Sequence, residues 1–562
     1  MTEQLLKDLK SVIRGKIKTD AETLTDHSVD ASVFTRMPKA VIFPKSADDI
    51  TRLVKYVNLA NESGAGLHLT ARARGTGMTG GSLSDSIVVN VDKYLNSVEI
   101  VSEGDLHAIV QSGVEFTLFE KQALPEHLTM PVYPSSKNYA AFGGMIGNDC
   151  AGEKTLRYGK MHDYVDWIEM VLHDGSIARF QELDRENVKA KMNGEGAEAS
   201  IYRQLIPLIE KHDAMIQAHH PPVSKNSSGY GLWRVWNKER DTFDLSQIIT
   251  GSQGTLGIMT RARVKLIHER PHRTLLTVYI RDWQELPTVV NQVLPHEPEM
   301  LEAYDATTLD VAMKYRGELA KSIGISKFKM WQLFGKERQY KRKHKQLPPL
   351  TLLIELAESD VVALNNKIAA VQHTLIESRL DFQVVSDDAE YKKFWAIRRE
   401  SYKLLKDHTP GITATVFIED FCIRPENLPS FFPQMLTILR ENSIQATVAG
   451  HAGNGNFHII PLMDLSDDVQ RQKIIPVMKQ IHQLIWEHGG SITGEHNDGI
   501  LRTPWVEEQF GTDMYRLFKE VKRIFDPNNI FNPGKKVDGT IQDLERSLIQ
   551  DNPVQKTKKI YA

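Results

Sequence analysis

Apolar residues recur along this chain with two periods, and the switches between them mark its parts. Leu5, Leu6, Leu9, Val12 and Ile13 share one helical face, so residues 1–23 read as an amphipathic helix. A short strand at 40–44 precedes a helix running to about Asn61. Ser46 is its N-cap, and Asp48 and Asp49 lie in its first turn. With the strand 66–72 this makes a βαβ unit. From Tyr94 to about His268 strand patterns dominate, among them 106–113 and 167–176, with helices at 116–122 and 201–211. Near Arg270-Pro271 the pattern resets. Strands opening at Thr274, Thr351 and Thr413 then alternate with helices at 361–378 and 426–442, which predicts an antiparallel sheet with helices on one face. The charged tail from Val537 reads as loosely held.

Between the strand 66–72 and a further strand, 86–92, lies Ala73-Arg-Gly-Thr-Gly-Met-Thr-Gly-Gly-Ser82. Gly75, Gly77 and Gly80 spell the dinucleotide fingerprint, but its context is wrong: a strand follows where a helix should open. The loop can still lay bare N–H groups against a pyrophosphate, or it can be an ordinary glycine turn. Two more glycine-rich segments, 134–152 and 251–258, fit one long phosphate-bearing cofactor better than three unrelated turns.

Composition narrows the class without deciding it. The 562 residues are enough for more than one domain, and 41% hydrophobic with 25% charged content is that of an ordinary globular protein. A net charge of −3 gives no global pull toward nucleic acid or acidic membrane. No secretory signal is visible, and no apolar run approaches the ~20 residues that span a bilayer. Two cysteines, Cys150 and Cys422, are too few for an iron–sulfur cluster, which takes about four, and agree with a cytoplasmic setting. The basic run 336–345 reads either as a solvated loop or as a dock for an acidic partner or a lipid surface, which would make the protein peripheral to the inner face of a membrane.

The candidate chemistry lies late in the chain. In Gly450-His-Ala-Gly-Asn-Gly-Asn-Phe-His458, two short strands flank a Gly-Asn-Gly turn, a hairpin that can bring His451 and His458 together. Thr493-Gly-Glu-His-Asn-Asp-Gly499 adds Glu495 and His496 between glycines. Two histidines and a glutamate suit a borderline divalent ion with an open position. Trp395-Ala-Ile-Arg-Arg offers a guanidinium, and a planar cation grips a carboxylate through two bonds.

The three glycine-rich segments, in this order, resemble the flavin-binding domain of the vanillyl-alcohol oxidase-like flavoproteins, and more narrowly the D-lactate dehydrogenase and glycolate oxidase flavin-subunit branch. The resemblance runs from about Leu24 to about Lys536. It implies an α+β chain: an N-terminal helical segment (1–37), a two-subdomain PCMH-type FAD-binding domain (38–268), an antiparallel-sheet substrate cap (269–504), a segment returning to the flavin (505–536) and a tail (537–562). It implies FAD held by Arg74, Gly75, Thr76, Gly77, Thr79, Gly80, Gly81 and Ser82, by Pro134, Gly143, Gly144, Asn148, Gly152 and Gly159, and by Gly257, Ile258 and Asn532. The Arg74-Gly loop lacks the histidine of covalently linked relatives, so a non-covalent flavin is expected. His451, His458 and Glu495 become ligands of a divalent metal, zinc by type, with His496 the general base and Arg398 the carboxylate anchor. Asn454 stands where relatives often carry Asp.

The implied activity is oxidation of a D-2-hydroxy acid to the 2-oxo acid, with hydride passing to flavin N5 and electrons leaving to a quinone, cytochrome or flavoprotein, not to NAD. D-lactate is the first expectation. D-2-hydroxyglutarate or glycolate is the alternative, and Ile418 at the family's lysine position argues against a dicarboxylate. A non-catalytic flavin subunit should lack the His/His/Glu set, and an ether-lipid-type flavin enzyme should carry a histidine-rich motif that is not found here.

Overall fold

A computed structural model describes residues 3–408 and 413–549. Three sheets organise it. The first has the four strands Lys16–Lys18, Ala40–Phe43, Ile87–Asn90 and Leu69–Arg72 in that spatial order, and a two-stranded ribbon, Leu128–Thr129 with Ile267–His268, lies apart from all three. The predicted βαβ unit exists, through the helix Ala47–Glu62, capped by Ser46 as expected. Its two strands are not neighbours, however. Ile87–Asn90 lies between them, parallel to both. The amphipathic N-terminus differs from expectation. It forms a helix only over Glu3–Val12, then a strand and a second helix, Ala21–His27. Gly15 lies at the break, where the backbone passes so close to the next strand that a Cβ would lie 2.1 Å from the carbonyl oxygen of Phe43.

The second sheet is antiparallel and seven-stranded. Val165–Val171 and Ile258–Lys265 lie at its centre, and His107–Gln111 flanks the latter. Its core closes over the late helix Val506–Phe525, so the chain returns after the cap as predicted. The return continues to the small sheet: the Leu69 N–H donates to Ile530 O, and the Asn532 N–H donates to Leu69 O.

The third sheet carries the cap. Its central strands run His272–Ile280, Leu350–Glu358, Met300–Asp305, Gln445–His451 and Asn456–Met463, all antiparallel. The expectation of helices on one face fails. Helices such as Leu428–Glu441 and Ile474–Glu487 cover one face, and Ala306–Lys314 and Asp388–His408 cover the other. Burial on both sides explains why Leu350–Glu358 reads as a near-continuous apolar run instead of alternating.

Two further expectations are corrected. The basic run is no loop but most of a helix, Gly335–His344. Beyond Val537, the helix Ile541–Ser547 packs with Leu544 fully buried, so the tail is held at least to residue 549. The rest of it, 550–562, lies outside the described residues.

Candidate active site

One cavity of about 310 Å³ runs from the glycine-rich loops of the first domain to the histidine motif of the cap. On the nucleotide side it is lined by the loop 71–79, by Gly81 and Ser82, by Pro134, and by stretches of 140–151 and 252–259. The glycine-rich segment 134–152 contains a short helix, Phe142–Asn148. At Gly77 and Gly144, which line the cavity, an added Cβ would meet no protein atom closer than 3.9 Å; their bare backbone faces open space. Gly257, at φ +152°, lies in a region open to glycine, and a Cβ there would strike Met170. A side-chain-free cradle of this kind fits the phosphates and ring of FAD.

Arg74, Gly75, Thr76, Gly77, Thr79, Gly81, Ser82, Pro134, Gly143, Gly144, Asn148 and Gly257 line this cavity. Gly80, Gly152, Gly159, Ile258 and Asn532 stand behind it. Gly80 packs against Ile500 and Phe34, and Gly152 against the Tyr133 carbonyl. Gly159 lies against Asp163, and Ile258 is in the core. Asn532 is fully buried; its amide donates to Gly81 O at 2.8 Å and Gln253 O at 2.7 Å, so the C-terminal segment ties two cradle loops together.

At the cap end, strand register assembles the acid–base cluster. Pairing of Ala303 with Gly450 and of Ala449 with His458 puts Glu302, His451 and His458 on one face of the sheet. The hairpin forms with a tight turn at Ala452–Asn454. Gly455 is required there, since a Cβ would lie 1.8 Å from Ile423 O. The side chain of Asn454 meets Ser224 and does not touch the histidines.

All three histidines follow one rule. Each Nδ1 rests on a carboxylate: His451 on Glu302 at 2.6 Å, His458 on Glu419 at 3.4 Å, and His496 on Glu419 at 2.5 Å. Each Nε2 then turns to Glu495 Oε1, at 3.3, 3.4 and 3.7 Å respectively. Carboxylates on the outer nitrogens fix the tautomer and direction of metal-binding rings. Among the described residues two donor groups could hold a cation: His451, His458 and Glu495, or Glu419, Asp420, His458 and His496. In the second, Glu419 is already engaged by Arg502 at 2.8 Å. Asp420 accepts from the Thr493 hydroxyl and the Glu495 and His496 N–H groups. The first set keeps its donor atoms available, so the residues fit a divalent ion there.

The electrostatics are those of a buried, compensated cluster. Burial would raise the Glu495 pKa, but Lys225, 3.0 Å from Oε2, and His451 hold it well below the usual carboxylate range. For Glu419, burial is likewise outweighed by His496 and Arg502. Burial pulls His496 down, yet Glu419, Asp420 and Glu495 carry it up to about 9. A cation on Glu495 would offset part of that field.

Arg398 lines the cavity and donates from Nε to Glu302 at 3.0 Å, while its buried Nη2 has no hydrogen-bond partner. Arg399, its neighbour on Asp388–His408, also lines the cavity and grips Glu153 through Nε at 3.2 Å and Nη2 at 2.6 Å. Sequence reasoning missed Glu302, Glu419, Asp420 and Lys225. The one local signal was a glutamate inside the apolar strand Met300–Asp305.

Comparison with known proteins follows these two halves. Residues 38–181 match the family model of an FAD binding domain, and residues 269–536 that of the C-terminal domain of FAD linked oxidases. The chain is 27% identical over 533 residues to a D-2-hydroxyglutarate dehydrogenase of Haemophilus influenzae, covering 93% of this chain and 50% of that protein. It thus spans about half the length of that relative. Identity is 23% to the mitochondrial D-lactate dehydrogenase [cytochrome] of Arabidopsis thaliana, covering 95% of this chain and 80% of that one. It is 25% to the glycolate oxidase subunit GlcD of Bacillus subtilis, with 91% of each chain covered. Among solved structures, 4-ethylphenol oxidase from Gulosibacter chungangensis superposes with a TM-score of 0.67 at 15% identity, over 96% of this chain and 99% of that one. This likeness shows the PCMH-type flavin-binding fold. With the cradle domain and the cap domain both matched, in order, the chain carries the two domains of the FAD-linked oxidases.

Proposed function

We propose that this chain oxidises a D-2-hydroxy acid to the 2-oxo acid. The observation that carries the reading is the shared cavity: the glycine cradle and the cluster of His458, Glu495 and His496 line one space, beside the unpartnered Nη2 of Arg398. When bound, FAD supplies the hydride acceptor and a divalent ion, zinc by its donor set, supplies a Lewis acid for the hydroxyl oxygen. His451 and His458, through Nε2, and Glu495 would hold that ion. Arg398 would receive the substrate carboxylate and so orient the α-carbon. His496 would take the hydroxyl proton at Nε2, with Glu419 on Nδ1 orienting the ring and stabilising its charged form. Electrons would leave to an acceptor other than NAD, such as a quinone, a cytochrome or a flavoprotein.

D-lactate needs one cation, and Arg398 supplies it. A second reading, D-2-hydroxyglutarate, needs another; the likeness to D-2-hydroxyglutarate dehydrogenases favours it, and Arg399 on the cavity wall would have to give up part of its grip on Glu153 to serve. Ile418, which argued against a dicarboxylate, is buried in the cap core and does not line the cavity, so it no longer discriminates. The purified protein should be yellow. D-lactate, D-2-hydroxyglutarate and glycolate, added in turn without oxygen, should reveal the substrate by bleaching the flavin. If every D-2-hydroxy acid leaves it oxidised, the dehydrogenase reading is wrong.

A further inference from the structure

The cap sheet carries an excursion that the active site does not use. Strand pairing sets Asp305 opposite Leu350, so residues 306–349 leave the sheet and return to the same point. Two helices of this excursion, Lys327–Leu333 and Gly335–His344, carry an unusual surface. Residues 327–345 hold eight lysines and arginines against one glutamate, in a chain whose net charge is −3. That glutamate, Glu337, contributes nothing outside: it is fully buried in a 2.7 Å ion pair with Lys393. Tyr340 packs on the same inner side, 5.6 Å from the Tyr279 ring. With positions 337 and 340 turned inward, helical spacing sends Lys336, Arg342 and Lys343 outward, and all three are exposed. None of these three, nor Lys327 or Lys345, forms an ion pair among the described residues.

Beside this charge sit two large apolar side chains in water. Phe328 is 67% and Trp331 47% exposed, and their rings stack at 6.1 Å. Arg338, from the next helix, lies 4.2 Å above the Trp331 ring, so the aromatic pair and the basic helix form one continuous surface. Exposed Trp and Phe among lysines match the chemistry of a bilayer interface, where rings enter the headgroup layer and cations meet lipid phosphates. Among the described residues no helix is long and apolar enough to cross a membrane.

We infer that Lys327–His344 is a docking surface for an anionic lipid bilayer, with Phe328 and Trp331 entering the interface and Lys336, Arg342 and Lys343 binding headgroups. The inference does not rest on the hydroxy-acid reading, because lipid binding is measured without substrate.

The test is co-sedimentation of the full chain with vesicles of phosphatidylcholine alone and of phosphatidylcholine mixed equally with phosphatidylglycerol. Binding is expected to the mixed vesicles only, and to weaken with salt. Each exposed cation removed should weaken it about fivefold, so K336Q/R342Q/K343Q should lose on the order of a hundredfold. F328S/W331S should weaken binding by a part that salt does not remove. These positions are at the surface, and unchanged FAD content and melting temperature would show the variants folded. Equal binding to both vesicle types, no binding, or binding untouched by either variant would overturn the inference. So would a single-stranded oligonucleotide that binds, loses affinity in the same variants, and has no vesicle counterpart.

Discussion

Glu302→Gln tests the site at the point where metal and substrate would meet. Glu302 is 1% exposed, and its two oxygens serve two partners: Oε1 meets His451 Nδ1 at 2.6 Å, and Oε2 accepts from Arg398 Nε at 3.0 Å. The charges of both partners hold its carboxyl below its ordinary pKa against burial. Glutamine keeps the shape but has one acceptor where two donors converge. Its amide N–H₂ must therefore face either the guanidinium or the ring N–H, and one charge-assisted hydrogen bond is lost. Such a bond contributes about 1.5–3 kcal/mol, roughly a 10- to 150-fold change in an equilibrium constant. If the amide faces His451, metal affinity falls by that factor; if it faces Arg398, KM for the hydroxy acid rises by it. FAD content should not change, because Glu302 does not line the cradle. The assay is metal content after dialysis against a weak chelator, FAD absorbance, and anaerobic flavin reduction against substrate concentration. Metal retention and KM both within about twofold of the parent protein would refute the shared role of this carboxylate.

Four further outcomes are expected. His451→Ala should lose bound metal and keep FAD, and unchanged metal content would remove it as a ligand. Gly144→Val should place a side chain in the cradle and abolish the yellow colour while circular dichroism stays native; retained flavin would show that the open face of Gly144 is not where the cofactor lies. Arg398→Lys keeps charge but loses the planar fork, and a tenfold or greater loss in kcat/KM is expected, roughly 1.4 kcal/mol or more. The last concerns pH. Burial and Arg502 lower the His482 pKa to about 3, whereas in the unfolded chain it lies near ~6.5. Stability from keeping this ring neutral is thus complete above ~6.5 and is lost as pH falls toward 3, about 2 kcal/mol between pH 7 and pH 5. His482→Phe should flatten that part of the denaturation profile, and an unchanged slope would mean another group is responsible.

Much of the site was legible because its requirements are local. A cradle that needs bare backbone leaves glycines in the chain, as at Gly77 and Gly144. A hairpin that must turn within a few residues leaves Gly-Asn-Gly between His451 and His458. The helix after Ser46 announced itself through its cap and first-turn acids. The misreadings were those of context. A charged helix without an apolar stripe, Gly335–His344, looks like a loop, because its inner face is only Glu337, paired with the buried Lys393, and Tyr340. A tail rich in charge looks loose unless one knows that Leu544 finds a pocket.

The amino-acid pattern alone determined the kinds of element, the presence of a side-chain-free nucleotide loop and the residue types able to bind a metal. Folding decided which carboxylates those residues meet. Glu302 and His451 are 149 residues apart and touch only because the register of two antiparallel strands sets Ala303 against Gly450. Strand register is a long-range choice, made by burial on both faces of the sheet together. No window of neighbouring residues contains it, so the carboxylate that holds both His451 and Arg398 could be found only in three dimensions.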